Sequence, residues 1–475
     1  MLALLASCLV VQLAVPLATL PRHLSWDYGE GWNAYWAARA MAGQPIYTSA
    51  ASTITNNYPP LSFFVAGWVG RVVGDGIIGG RLLSLLSLGV CLALMATLAR
   101  RLGGSAGWAW AGAFGFLLYI GSFAWRYIGT DDPQWPAAAL SLSGLLLLVP
   151  AGGQWPNRLR IAAACGLMVL AGLLKHNQLA EPIAATLWLG RHPRHGLWVW
   201  LGSAALLVAA VLLALWWGFG PILFEQVLGH QRVFQARFFI NSVRTLSGLF
   251  PEIGLAVYLW RVTPRETRAP GLTLVLLFAA IALILGVLER FGTGVSTNAH
   301  FDAAIAFGIL GAVAFGTPGL WRSARAHRRM AMVALAPLLV ATVVQLPNMT
   351  HRFLQIGQTE AQWREAIQLV REAPGPAACE LPALCYWAGR PFLVDFYNYG
   401  QKLRKSGDPA ALMEQFEERR FAVVTLAETR RFRTTQARLP LNYNQAIARN
   451  YRPIMALPEH GLLLVPRSGS AAVSG

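Results

Sequence analysis

Apolar residues fill the first three-quarters of the chain in long runs. A helix that crosses a bilayer needs about 20 mostly apolar residues, with a range of roughly 17–25. Runs of this kind cover 1–20, 77–99, 106–125, 134–150, 197–217, 271–288, 301–316 and 330–346. Two shorter runs, 160–174 and 178–190, flank Lys175-His176-Asn177, and a weaker one, 246–260, carries Pro251 and Glu252. After residue 347 charges become frequent and apolar runs shrink to strand length, at Phe392–Asp395, Phe421–Leu426 and Gly461–Val465. A helical segment, Pro409–Arg420, lies between two of them, its proline suited to a first turn. The pattern predicts an all-α polytopic membrane domain over 1–346, with about eleven transmembrane helices. A first outer loop over 21–76 and a small α/β domain over 347–475 complete the organisation.

Composition agrees with that reading. Of 475 residues 55% are hydrophobic and 13% charged, against roughly 25% charged in soluble proteins. A soluble enzyme, a disordered chain and a nucleic-acid module are excluded together. The net charge of +17 comes from 39 Lys+Arg against 22 Asp+Glu. In a membrane protein the positions of those basic residues report topology. With the N-terminus in the cytoplasm, the inner connections hold Arg100-Arg101, Arg158/Arg160, Arg191/Arg194, Arg261/Arg265/Arg268 and Arg322/Arg325/Arg328/Arg329. The outer connections, 21–76, 126–133, 175–177, 218–245 and 289–300, hold most carboxylates of the membrane portion. Reading 160–190 as one span would invert this parity and place the Arg322–Arg329 cluster outside. The first span lacks a basic leading region and a small-residue cleavage site before Pro21, so it reads as retained. The predicted location is the cytoplasmic (inner) membrane, with the C-terminal domain periplasmic or extracellular. Among five cysteines, Cys8, Cys91 and Cys165 lie in apolar runs. Cys379 and Cys385 fall in the outer domain, where both a bridge and two thiols are compatible with the compartment.

The candidate chemistry gathers on the outer side. Trp26-Asp27-Tyr28-Gly29-Glu30 follows the first span and places two carboxylates three residues apart. Capping a helix is the simpler role for both. Carboxylates at the mouth of a membrane bundle are nevertheless costly unless solvated or paired, which marks them as functional candidates. In Asn57-Tyr58-Pro59-Pro60 the prolines bias Tyr58 toward extended backbone, and 61–73 is too short to span. Arg126 precedes Asp131-Asp132, where either aspartate suits a helix cap. Lys175, the first lysine in a chain that otherwise uses arginine up to residue 402, sits at the tip of a short hairpin beside His176, Asn177 and Gln178. Such a lysine can simply reach the interface; a cluster of donors at headgroup depth also suits a phosphate. Arg232, Arg237 and Arg244 lie on an amphipathic stretch, and Asn298-Ala299-His300-Phe301-Asp302 precedes the span at 301–316. No nucleotide-binding fingerprint or metal-ligand spacing accompanies these residues. A lipid-phosphate substrate in the membrane plane fits them best.

The ordered set Asp27-x-x-Glu30, Gly43…Tyr47, Tyr58-Pro59-Pro60-Leu61 and Arg81-Leu82-Leu83-Ser84 resembles the GT-C membrane glycosyltransferases. It is most similar to family 39, which groups protein O-mannosyltransferases, aminoarabinose transferases and bacterial polysaccharide enzymes. The likeness continues through Asp132, Lys175, Asn298…Phe301, Cys379-Glu380, Ala388-Gly389-Arg390 and Asp395. It implies transfer of a sugar from a polyprenyl-phosphate carrier to a glycan, lipid or protein acceptor on the outer face, with membrane lipid as a partner and nucleic acid as none. The family's first-loop acid, which activates the acceptor hydroxyl, matches Asp27. Many members have adjacent Asp-Glu there, so the spacing in this chain leaves Asp27 and Glu30 both open as the base. The expected substrate and donor contacts are Tyr58, Arg81, Arg126, Asp132, Lys175, His176, Asn298 and His300. The expected step is a single inverting displacement needing no cofactor, with a carboxylate-bound divalent ion as an alternative. A transporter or lipid flippase is the rival reading, but it predicts ionisable residues near the bilayer midplane and internal repeats. A non-catalytic scaffold would leave Asp27, Glu30 and Lys175 on one face without a purpose.

Overall fold

The computed structural model describes residues 2–49, 52–150, 154–191, 194–229, 234–264, 269–317, 319–406, 411–427 and 438–467. Helix α1 (Leu2–Thr19) leads into the first loop, which is built from α2 (Tyr28–Met41) and α3 (Leu61–Val73). The bundle follows with α4 (Gly76–Arg101), α5 (Ala106–Ala124), α6 (Gln134–Leu148), the hairpin α7 (Arg158–Leu174) and α8 (Ala180–Leu189), and α9 (Arg194–Phe219). Short helices α10 (Pro221–Val227) and α11 (Phe239–Leu246) precede α12 (Phe250–Val262), α13 (Pro270–Arg290), α14 (Phe301–Gly316) and α15 (Ala324–Glu372). Side-chain caps set several starts: Asp75 accepts from the Ile78 N–H, Asn157 from Arg160 and Ser323 from Ala326.

Among the described residues six helices are long and apolar enough to cross a membrane: Gly76–Arg101, Ala106–Tyr127, His195–Phe219, Pro270–Arg290, Thr297–Gly316 and Ala324–Glu372. The other segments expected to span form helices of 10 to 18 residues, α1, α6, α7, α8 and α12. The bundle core runs through α4, α5, α6, α13 and α14, with Trp135 stacked on Phe301 at 4.8 Å. On α9 the apolar side chains Trp198, Leu206 and Trp217 face outward, 66%, 72% and 83% exposed, as lipid-facing residues must.

Helix α15 departs from expectation. The run 330–346 is part of a 49-residue helix that continues through Pro337 and Pro347 to Glu372. At 1.5 Å per residue it measures about 70 Å, well beyond a hydrocarbon core of about 30 Å. The composition change at 347 therefore falls inside a helix. Beyond it lie β1 (Ala377–Cys379), α16 (Pro382–Trp387), α17 (Asn398–Ser406), α18 (Ala411–Glu417), β2 (Val423–Leu426), α19 (Leu441–Asn450), β3 (Tyr451–Leu457) and β4 (Gly461–Pro466). The sheet order is β1-β2-β4-β3, parallel between β1 and β2 and antiparallel elsewhere, with Val424 opposite both Ala378 and Leu464.

The strands expected at 421–426 and 461–465 are present. The one expected at Phe392–Asp395 is not: this segment stays outside the sheet, and the Asp395 N–H donates to the Thr53 carbonyl at 2.9 Å. Phe392 packs on Tyr35 and Trp36 of the first loop, while Val394 joins the core of the C-terminal domain without entering its sheet. Two strands had no clear signal, β1 because it has three residues and β3 because Pro453 interrupts it. That proline is tolerated on an edge strand beside an irregularity in register. The expected Pro409–Arg420 helix is described over Ala411–Glu417 and ends before Glu418, with 407–410 outside the described residues. Cys379 and Cys385 form a disulfide, closing a loop around α16.

Candidate active site

The two first-loop carboxylates occupy different environments. Asp27 is the N-cap of α2: its Oδ1 accepts from the Gly29 N–H at 2.7 Å, and the residue borders a large cavity. Enclosure by protein raises its carboxyl above the usual range. The Gly29 N–H opposes that rise, and Glu30 and Asp132 add to it. Glu30, the third residue of α2, points the other way. Arg81 of α4 donates to both its oxygens, Nε to Oε1 at 2.6 Å and Nη2 to Oε2 at 2.9 Å, and Ser25 donates to Oε2 at 2.6 Å. Arg81 spends its remaining donors on the carbonyls of Thr19, Leu20, Arg22 and Leu24. Both side chains are 3% exposed. The pair ties the end of α1 to α2 and α4, and neither member borders the cavity.

The cavity, about 780 Å³, opens between one mouth of the bundle and the C-terminal domain. On the bundle side it is lined by Asp27, Tyr58, Tyr127, Asp132 and Arg290. Asp132 accepts from Lys175 Nζ at 2.7 Å and from the Gln134 N–H at 2.8 Å through the same oxygen. Lys175 is 4% exposed, held behind Asp132 and 5.6 Å from the centre of the Tyr58 ring. His176 is exposed, its ring 6.1 Å from that of Tyr58. Asn298 accepts from the Tyr127 hydroxyl at 3.1 Å and donates to Gln134, so it buttresses a cavity wall. His300 is buried against Ser242 at 3.3 Å and does not reach the cavity.

Arg126 also lies elsewhere than expected. It bonds both oxygens of Glu459 at 2.9 Å, and Arg352 bonds the same carboxylate, pinning the β3–β4 turn to the bundle. Asp131 is 4% exposed with Oδ2 unpartnered, and burial drives its carboxyl well above the usual range. Arg244 is exposed on α11, while Arg232 and the Arg237 side chain lie outside the described residues.

Sequence reading missed the cavity's upper wall and one cation of its floor. Arg290 ends α13 with Nε unpartnered, while its Nη1 donates to the Val295 carbonyl. Asn398, Gln401 and Arg404 of α17 and Arg438 come from the C-terminal domain. Arg438 lies 4.4 Å over the Tyr28 ring and donates to the Glu380 carbonyl at 2.9 Å. Asp395 joins the two walls. It accepts from the Tyr28 hydroxyl at 2.7 Å and Trp32 Nε1 at 2.9 Å on α2, and from the Asn398 N–H at 2.8 Å on α17. The one available signal was the spacing 398, 401, 404, which puts three polar residues on one helix face.

No family model and no curated protein matches the sequence. Solved structures do match in fold. ArnT from Cupriavidus metallidurans bound to undecaprenyl phosphate is 15% identical, with a TM-score of 0.58 over 98% of each chain. Its apo state is 16% identical, with a TM-score of 0.62 over 97% of each. The oligosaccharyltransferase AglB from Archaeoglobus fulgidus, in complex with an inhibitory peptide and a dolichol-phosphate, is 12% identical, with a TM-score of 0.53 over 89% of this chain and 69% of that one. The chain shares its fold with these GT-C superfamily members.

Proposed function

We propose that the protein is an integral-membrane glycosyltransferase that moves a sugar from a polyprenyl-phosphate carrier to an acceptor hydroxyl on the outer face of the cytoplasmic membrane. The observation that carries this reading is the cavity at the bundle mouth, which brings a carboxylate with an unshared oxygen, Asp27, and a cation with an unpartnered nitrogen, Arg290, into one space. The GT-C fold, shared with a protein bound to undecaprenyl phosphate and another bound to a dolichol-phosphate, supports the donor class. The +17 charge, concentrated in short Arg loops, supports the expected orientation, with about eleven membrane passages, N-terminus inside and the 347–475 domain outside.

In this scheme Asp27 accepts the acceptor proton as the hydroxyl oxygen attacks the anomeric carbon. The bond from that carbon to the phosphate oxygen breaks, and configuration inverts. The leaving phosphate is already a stable anion, so it needs no acid. Arg290 stabilises the charge that grows on it, and Lys175 acts from behind through Asp132. Glu30 is a structural partner of Arg81 rather than the base. The scheme requires no metal. Full-length protein in proteoliposomes with a radiolabelled lipid-linked sugar tests it. Asp27→Asn should lower the rate by about 10²–10⁴-fold, and Arg290→Ala should raise the donor KM. Full activity of Asp27→Asn would overturn the base assignment.

A further inference from the structure

Helix α17 carries three buried or cavity-lining polar side chains, three residues apart, and two of them leave polar atoms without a partner. Gln401 is 1% exposed, yet neither its Nε2 nor its Oε1 makes a hydrogen bond. Asn398, 4% exposed, donates from Nδ2 to Asp395 Oδ2 at 2.8 Å and leaves Oδ1 unpaired. Buried amides are nearly always satisfied, because a group stripped of water without a partner is costly. Both amides and Arg404 border the same cavity, so the missing partners belong to something that enters it.

The unpaired atoms define that ligand's chemistry. They are two carbonyl oxygens and one amide NH₂ group. A phosphate offers only acceptors and would meet both carbonyls unfavourably. An ammonium offers only donors and would leave the NH₂ group unused. A hydroxyl donates and accepts at once, so adjacent hydroxyls satisfy the whole set. The neighbouring walls supply ring faces for the C–H side of a sugar: Tyr28 and Tyr397 lie 6.1 Å apart, and Trp32 borders the same space. The orientation of Tyr28 and Trp32 is fixed by their bonds to Asp395. We propose that the α17 stripe Asn398–Gln401–Arg404 is a sugar-binding subsite that holds the hydroxyls of a pyranose ring. The assignment rests on the transferase reading and goes further, giving the outer domain a direct contact with carbohydrate. The ring belongs either to the donor or to an acceptor glycan.

Binding to the full-length protein in nanodiscs tests the subsite independently of turnover. The probes are bare undecaprenyl phosphate, the same lipid carrying glucose, mannose or aminoarabinose, and soluble oligosaccharides released from envelope polysaccharide. Gln401→Leu removes an unsatisfied buried amide, so its thermal midpoint should equal or exceed that of the parent. Its affinity for the sugar-bearing probe should nevertheless fall about 5- to 20-fold, the loss of one or two neutral hydrogen bonds. Gln401→Glu keeps the shape, removes the donors and should weaken binding as well. A donor ring is indicated when Gln401→Leu loses the preference for sugar-bearing over bare lipid. An acceptor ring is indicated when both lipids bind unchanged and the oligosaccharide weakens. Unchanged binding of every sugar probe overturns the subsite. Transfer by the parent protein is scored separately: its absence refutes the transferase reading, whatever Gln401 does to binding.

Discussion

Asp27 and Glu30 occupy the same first turn of α2, yet their partners give them different work. An acid that accepts one backbone N–H and faces a cavity keeps an oxygen for chemistry. An acid gripped by a guanidinium keeps none. Because enclosure raises the Asp27 carboxyl, and a base must be ionised, the acid limb of kcat/KM should lie above the ordinary aspartate value of about 4. Activity should fall as pH drops through the raised value and hold on its alkaline side. A pH–rate profile measures this, and a rate still flat at pH 4 would count against Asp27. Glu30 predicts the opposite signature. Breaking a buried ion pair by removing one partner costs about 3–5 kcal/mol. Arg81→Met should therefore lower unfolding stability by that order in a detergent melt. Glu30→Gln, which keeps some hydrogen bonds to Arg81, should cost less and leave the pH limb unmoved.

At the level of elements, α2 is held from above as well as from below. Gly31 faces α16 so closely that a Cβ there would lie 2.1 Å from the Ala383 nitrogen, and the Cys379–Cys385 bridge closes the chain around that helix. Asp395 completes the attachment by binding α2 and α17 together. It is a positioning residue, since its oxygens are spent on Tyr28, Trp32, Tyr397 and Asn398. In Asp395→Asn an NH₂ group replaces one acceptor and meets donors that already point at it. We expect kcat to fall with donor KM nearly unchanged, whereas general unfolding would reduce the active fraction and leave kcat per folded protein intact. Titrating active sites alongside turnover separates the two. Little of this was legible in the sequence. Asp27 and Glu30 were visible because carboxylates are rare beside a span. That Glu30 belongs to Arg81 was not, because 51 residues separate them and only the packing of α2 on α4 joins them. The segment 392–395 has the composition of a strand, but its partner is the first loop, a tertiary choice that local pattern does not encode.

At the scale of the molecule, the long apolar runs and the basic loops were the most readable features, since a bilayer imposes length on the former and the positive-inside bias sorts the latter. The short helices α6, α7, α8 and α12 are less decisive by length, with 15, 17, 10 and 13 residues. The proposed orientation places their ends by charge, which can be tested. The α7–α8 hairpin has Arg158 and Arg160 at its start, Arg191 just past its end, and Lys175 with Asp132 at its tip beside the cavity. If the hairpin crosses and returns, Arg158 and Arg191 lie on the cytoplasmic side and His176 on the outer side. If it is a single passage, Arg158 and Arg191 fall on opposite sides. Single cysteines at Asn157, His176 and Arg191, introduced after Cys8, Cys91 and Cys165 are replaced by alanine, decide between the two. With a thiol reagent that does not cross membranes, added to intact cells, only the His176→Cys protein should react. Reaction of exactly one of the two end positions would reverse the proposed topology of everything that follows, and would set Asp27 and Asp132 on the opposite side of the membrane from the C-terminal domain that lines the same cavity.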